Sequence, residues 1–313
     1  MHDKYAGKNN LTAVRVAHAS VTAKSPSSFG LVFIMDDPLT QGLEPTSKEL
    51  GRAQGLYALS SQSEMSLLMA MNLVFTTGQF NGSTLTIMGR NPAKPRREMP
   101  IIGGSGVFRL ARGVASVQSE VMEKLGVLIA MTFLVAIAMP MSHCSNIEGP
   151  EEVDEWFQKL PNAKEKVTKL HFFFHDRFAG KHDVTAVRVA HASVTAKSPT
   201  SFGLVFIMDD PLTEEFKFTS KEIGRAQGLY AFSGRDELSL LMSYNLVFTS
   251  GEFNGSTLTV LGRNPAVPHR EMPIVGGSGV FRLARGVASA QLREFNMTTG
   301  NAVIEYNVVV IHY

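Results

Sequence analysis

The sequence predicts an all-β chain that encodes one eight-stranded antiparallel β-barrel twice, complete only the second time. Three observations carry this. Residues 2–118 realign without a gap on residues 175–291 at a constant offset of about 173, with roughly three quarters of the positions identical. Short alternating apolar segments are separated by Gly, Asn, Asp and Pro turns. The 27 Gly and 20 Phe among 313 residues suit a turn-rich, aromatic-rich sheet protein. Regularly spaced strands without long helices mean a sandwich or a closed barrel. A barrel removes the exposed edges, and about eight strands leave room for one small ligand.

The strands are read most fully in the second copy. Residues 170–174 are aromatic-rich, and 185–194 alternate Val187, Val189, His191 and Ser193 with Ala and Arg. Residues 202–208 are expected to end at an Asp209-Asp210-Pro211 turn. Residues 223–232 and 238–248 follow, the latter placing Leu238, Leu240, Met242, Tyr244, Leu246 and Phe248 on one face. Residues 256–261, 279–288 and 303–313 complete the set, with Asn254-Gly255 and Gly276-Gly277 as tight-turn dipeptides.

Copy one lacks counterparts of 167–174 and 302–313, so it is expected not to close a barrel alone. Between the copies, Met122-Glu123-Lys124 precedes an apolar run over 125–141, short for a membrane helix, followed by small and polar residues. That pattern reads as a secretory signal with a possible cleavage motif at Ala136-Ile137-Ala138. The expected organisation is a truncated copy over 1–121, a signal-like segment over 122–145 and a complete barrel over 146–313. Two neighbouring genes read as one would produce it. The mature protein would then be secreted, without stable membrane insertion, and Asn254 and Asn296 lie in N-x-S/T sequons open to glycosylation.

A net charge of +2 with no Lys/Arg run argues against nucleic acid as the principal partner. One cysteine, Cys144, excludes an intrachain disulfide and a Cys-based metal site. No nucleophile elbow, HExxH, P-loop or Rossmann fingerprint is present, so neither a metal nor a cofactor is expected. His171, His175 and His191 read as strand-face residues rather than ligands. Asp176, following a Phe run, is expected at a strand mouth where apolar surroundings favour its protonated form. It reads equally as a turn carboxylate. Asp209 and Asp210 read first as turn residues, and Tyr230 as either a cavity phenol or a core tyrosine. Arg263, Arg270, Arg282 and Arg285 cluster late in the repeat, most of them expected as surface charges or ion pairs, with one able to bind an anion or a phenolate.

The succession HFFFHD, SFGLVFIMDDPLT, SKEIGRAQGLY, VFTSGEFNGSTLTVLGRN, REMPIVGGSGVFRLARG and EYNVVVIHY resembles the plant dirigent proteins. The resemblance spans 170–313, and the shared motifs recur over 2–118. It implies an apoplastic eight-stranded barrel of the dirigent and allene-oxide-cyclase-like type, commonly trimeric. Such a barrel would steer coupling of phenoxy radicals of coniferyl-alcohol type, or conversion of quinone methides, in lignan and phenylpropanoid metabolism. A laccase or peroxidase would supply the radicals, so the chain would be an auxiliary rather than an enzyme. The motifs carry the family's pocket acid onto Asp176, its tyrosine onto Tyr230 and its arginine onto Arg270, with Asp210, Phe174 and Phe253 expected to contact substrate. Gly262-Arg263-Asn264 departs from the acidic pattern of the lignan-forming branch, which leaves pinoresinol-type coupling open. The alternatives are a cyclase or dehydratase on the same barrel and a binding protein of the cell wall or defence response.

Overall fold

Alternation of apolar and polar side chains makes the first copy an open sheet and the second a closed barrel, the difference lying in two strands. The computed structural model describes residues 12–118, 150–180 and 184–313. The signal-like stretch and Met122 therefore lie outside the described residues. Copy one comprises β1 (Ala13–His18), β2 (Leu31–Thr40), β3 (Glu49–Leu59), β4 (Ser66–Phe75), β5 (Thr84–Pro92), β6 (Arg96–Ser105) and β7 (Gly113–Gln118). They pair antiparallel in that order, leaving β1 and β7 as edges among the described residues. One face gathers Met35, Tyr57, Met69, Met71, Ile87 and Met99 into a small core.

Helix α1 (Pro150–Lys159) then precedes β8 (Lys166–Asp176), β9 (Ala186–Ala190), β10 (Val205–Thr213), β11 (Glu222–Phe232), β12 (Ser239–Phe248), β13 (Thr257–Pro265), β14 (His269–Ser278), β15 (Arg285–Phe295) and β16 (Ala302–His312). From β10 to β16 each strand pairs with the next, and β16 pairs along the whole of β8. The ring closes where β8 meets β10, Phe174 opposite Leu212 and Phe173 opposite Thr213. Eight strands thus form the expected barrel, while β9 lies outside the ring beside the start of β10. Alternate residues point inward and merge into one core that includes Phe172, Leu212, Tyr244, Leu246, Leu258, Phe281 and Val310. Each such side chain contributes about 1.5–3 kcal/mol on burial.

Several strand limits differ from the sequence expectation. β10 does not stop at Asp209-Asp210-Pro211 but continues to Thr213. The Asp209 N–H points away from β11 to the Thr185 carbonyl (2.9 Å). Two residues on, Pro211 faces the same way, into the gap between the end of β9 and the β8 pairing, where no donor is required. Gly276 and Gly277 lie inside β14, a strand the sequence reading missed, rather than in a turn. A Cβ on Gly276 would come within 2.8 Å of Pro100 of copy one, so the glycine serves close approach. Residues 279–281 form a short 3-10 turn, and β15 begins only at Arg285. Asn254-Gly255 does turn, with Gly255 at φ +84°.

Copy one packs against the outside of the barrel. Phe29, Val32 and Ala58 of copy one form an apolar cluster with Val187, Val189 and Ile207 of copy two. Arg282 is buried in a two-point ion pair with Glu98 of copy one (3.1 and 2.5 Å). On its own, residues 146–313 should melt cooperatively as a β protein. Residues 1–121 alone should aggregate or remain unfolded, because two open edges and a one-sided core do not suffice. Size-exclusion chromatography with far-ultraviolet circular dichroism checks both; a monomeric, cooperatively melting 1–121 fragment would contradict the second.

Candidate functional site

At the barrel end where β8, β11, β13 and β15 finish and β12, β14 and β16 begin, the side chains leave a cavity of about 530 Å³. The inward alternation of β8 brings Phe172, Phe174 and finally Asp176 onto its inner face, so an acidic group terminates an aromatic row. Asp176 and Phe174 line the cavity together with Tyr230 of β11 and Arg270 of β14. These four sequence candidates are therefore brought together. Their walls are completed by Phe178, Met208, Leu240, Met242, Ile304 and Tyr306.

The polar groups are few and specifically held. The Tyr230 hydroxyl donates to Asp176 Oδ2 (3.4 Å), and its ring stacks on Phe206 at 5.2 Å and 15°. Phe178 closes against both, edge-on to Phe206 at 5.1 Å. Asp176 Oδ1 is shut off from solvent, and burial pushes the carboxyl up to about 7, against the lowering influence of the Tyr230 hydrogen bond. Burial likewise raises the Tyr230 phenol well above its ordinary value, with the Asp176 charge adding to it. Tyr230 is thus a hydrogen-bonding neutral phenol, and Asp176 an acid that carries its proton near neutrality. Arg270 is oriented by its Nε–H to Asn264 Oδ1 (2.7 Å), a contact that keeps the guanidinium at the cavity wall. Deeper in the barrel, the Tyr244 hydroxyl donates to that of Tyr306 (3.1 Å), whose ring stacks on Phe174 at 5.6 Å.

Asp210 is not a turn residue. It is fully buried on the inner face of β10, and burial, then the negative charge of Asp176, pushes its carboxyl well up. It is not among the residues that line the cavity. Phe253 is placed elsewhere: it packs on Phe248 and Phe281 (centroids 5.9 and 4.9 Å) at the opposite barrel end. The reason is connectivity, since the β12–β13 turn lies one full strand length from the β11–β12 mouth. Of the glycosylation candidates, Asn296 is exposed, with Oδ1 accepting from the Thr298 and Thr299 amides. Asn254 is half-buried. Tyr306, Phe178 and Asn264 were missed as lining residues. Tyr306 was legible as an alternation partner of Ile304 and Val308, but Phe178 and Asn264 reach the cavity only through tertiary pairing.

Copy one repeats Tyr57, Asp37 and Arg97 at the positions of Tyr230, Asp210 and Arg270, and Tyr57 stacks on Phe33 at 4.9 Å. Among the described residues it has no counterpart of β8 or β16, which carry Phe174, Asp176, Ile304 and Tyr306. Among the described residues its half of the constellation stays open.

The family model described as dirigent-like protein matches residues 1–136 and 167–311. Dirigent protein 21 of Arabidopsis thaliana is 51% identical over 190 residues, covering 60% of this chain and 95% of the relative. Pterocarpan synthase 1 of Glycyrrhiza echinata is 41% identical over 184 residues, covering 58% and 97%. A solved pterocarpan synthase dirigent protein aligns at 45% identity and a TM-score of 0.45, covering 48% of this chain and 87% of that one. The closed barrel, the aromatic cavity with its buried acid, and a family match over both copies lead to one conclusion: the chain belongs to the dirigent-like protein family.

Proposed function

We propose that the copy-two cavity binds a planar phenolic intermediate of phenylpropanoid metabolism, a phenoxy radical or a quinone methide, and leaves one of its faces open to reaction. The observation that carries this is an aromatic cavity of about 530 Å³ whose one buried acid, Asp176, is held near pKa 7 beside Tyr230. Such intermediates react at several atoms and on both faces in water. A rigid stacked wall biases the outcome, and about 1.4 kcal/mol of bias is already a tenfold product ratio. The chain acts as a stereo-directing auxiliary, and a separate laccase or peroxidase generates the radical. It is secreted to the apoplast, Asp210 modulates Asp176 from behind, and Arg270 stabilises a developing phenolate.

A second reading, closure of a quinone methide, is favoured by the Asp176–Tyr230 pair. Protonated Asp176 gives its proton to the quinone-methide carbonyl oxygen as a hydroxyl of the same molecule adds to the exocyclic carbon. The proton released by that hydroxyl returns to the Asp176 carboxylate, so the protein ends as it began. The similarity to two pterocarpan synthases supports this variant.

The test incubates the protein with coniferyl alcohol plus a laccase and, separately, with a closed-shell quinone-methide precursor without oxidant, resolving products on a chiral column. Enantiomeric excess only with oxidant supports steering, and product without oxidant supports closure. A racemate in the first arm and no acceleration in the second would overturn both. Tyr230→Phe keeps ring stacking and removes only the hydroxyl. Selectivity or rate should fall about tenfold, with the melting temperature within a few degrees of the parent.

A further inference from the structure

The ladder between β8 and β16 stops where Ala302 stands opposite Asp176. Beyond it the next link is made by a side chain. Asn301 Oδ1 accepts the backbone N–H groups of Phe178 (2.9 Å) and Ala179 (3.1 Å), and its Nδ2 donates to the Ala179 carbonyl (3.1 Å). A carboxamide suits this place, because it carries an acceptor with two lone pairs and a donor side by side. On the opposite flank the chain is tied to the start of β9. The Arg177 N–H donates to Thr185 Oγ1 (3.1 Å), and the Arg177 carbonyl accepts from the Thr185 and Ala186 amides (2.9 and 3.2 Å). Residues 177–179 are thus fixed from both sides although the strand has ended.

The hairpin that carries Asn301 is itself closed. The Asn296 carbonyl accepts the Gly300 N–H (2.8 Å), and the Asn296 N–H donates to the Asn301 carbonyl (2.8 Å). Gly300, at φ +78°, presents bare backbone to Phe178, and a Cβ there would stand 3.4 Å from the ring. Phe178 lies between this hairpin and the aromatic wall, edge-on to Phe206 at 5.1 Å and to Tyr230 at 6.3 Å. Among the described residues it is the one aromatic lining the cavity that belongs to no strand, so no ladder places it.

We infer that Asn301 is a positioning residue of the cavity: it latches the Phe178 ring against Tyr230, beside Asp176, and thereby shapes the mouth and keeps water from the acid. Asn301 is not among the lining residues and acts through Phe178. What the shaped mouth selects rests on the phenolic reading proposed above; the latch itself does not.

The experiment uses the full chain. In the parent the Phe178 and Ala179 amides should exchange with solvent at least about tenfold more slowly than open-loop amides, and Asn301→Ala should remove that protection. The Asp176 carboxyl carbon resonance, identified by its loss in Asp176→Asn, should titrate near 7 in the parent. With the ring released, water reaches the acid, and the midpoint in Asn301→Ala should fall by about one unit or more. Phe178→Ala should give the same fall and the double variant no further one, since one residue acts through the other. Tyr230 of β11, Asp210 of β10, Arg270 of β14, Tyr306 of β16, and His175 and Arg177 beside Asp176 on the chain stay intact in all of these. Parent exchange is read without any substitution, so the bonds are tested even where a variant fails to fold. Fast exchange of both amides in the parent, an unmoved midpoint in Asn301→Ala, or shifts that add in the double variant would each overturn the proposal. A chiral product assay on the same proteins separates the two readings. A parent without selectivity or acceleration, together with the expected titrations, would sink the phenolic reading and leave the latch supported.

Discussion

Asp176→Asn is expected to raise thermal stability at alkaline pH while abolishing the acid-dependent chemistry. Burial holds the Asp176 carboxyl at about 7 in the folded chain against 3.8 ordinarily. Between those values the unfolded chain releases a proton that the folded chain retains, so stability is full below about 3.8 and falls as pH rises through 7. The cost above pH 7 is about 4 kcal/mol, and an amide of the same shape does not incur it. Removing the Asp176 charge also relieves Asp210, whose carboxyl it pushes up after burial. At pH 8 the variant should therefore melt several degrees above the parent, and near pH 4 the two should coincide. An amide cannot release a proton, so closure of a quinone methide should slow by about 10²–10⁴. Melting curves from pH 4 to 9 decide the first part; a variant equally destabilised at both ends would show that Asp176 is structural.

Arg282→Ala is expected to loosen copy one from the barrel. Glu98 and Arg282 are 5% and 6% exposed at their side chains and joined at two points, while the Arg282 guanidinium also lies 5.4 Å over the Trp156 ring of α1. Truncating the arginine leaves a buried carboxylate without its cation, which costs about 3–5 kcal/mol. The double variant Glu98→Gln with Arg282→Met should recover much of this loss, because no charge is then stranded. Hydrogen exchange read over β6 and β14 locates the effect. Unchanged protection there in Arg282→Ala would show that the pair holds nothing in place.

The sequence by itself determined the duplication, the barrel class and the family. It also marked Asp176, Tyr230 and Arg270, because motifs and alternation are local properties of the chain. Tertiary structure decided what depends on distant partners. Asp209-Asp210-Pro211 has the composition of a turn yet stays extended, because β11 pairs along one side and the other side needs no donor at Pro211. Gly276-Gly277 likewise has turn composition but lies in β14, where copy one and Phe281 approach the backbone closely. Phe253 is as aromatic as Phe178, and only strand direction sends one to the closed end and the other to the cavity. The same repeat places Ile34 in water and Ile207 in a core. Identical residues there acquire different surroundings, because burial belongs to the pair of surfaces that meet and not to the segment that supplies one of them.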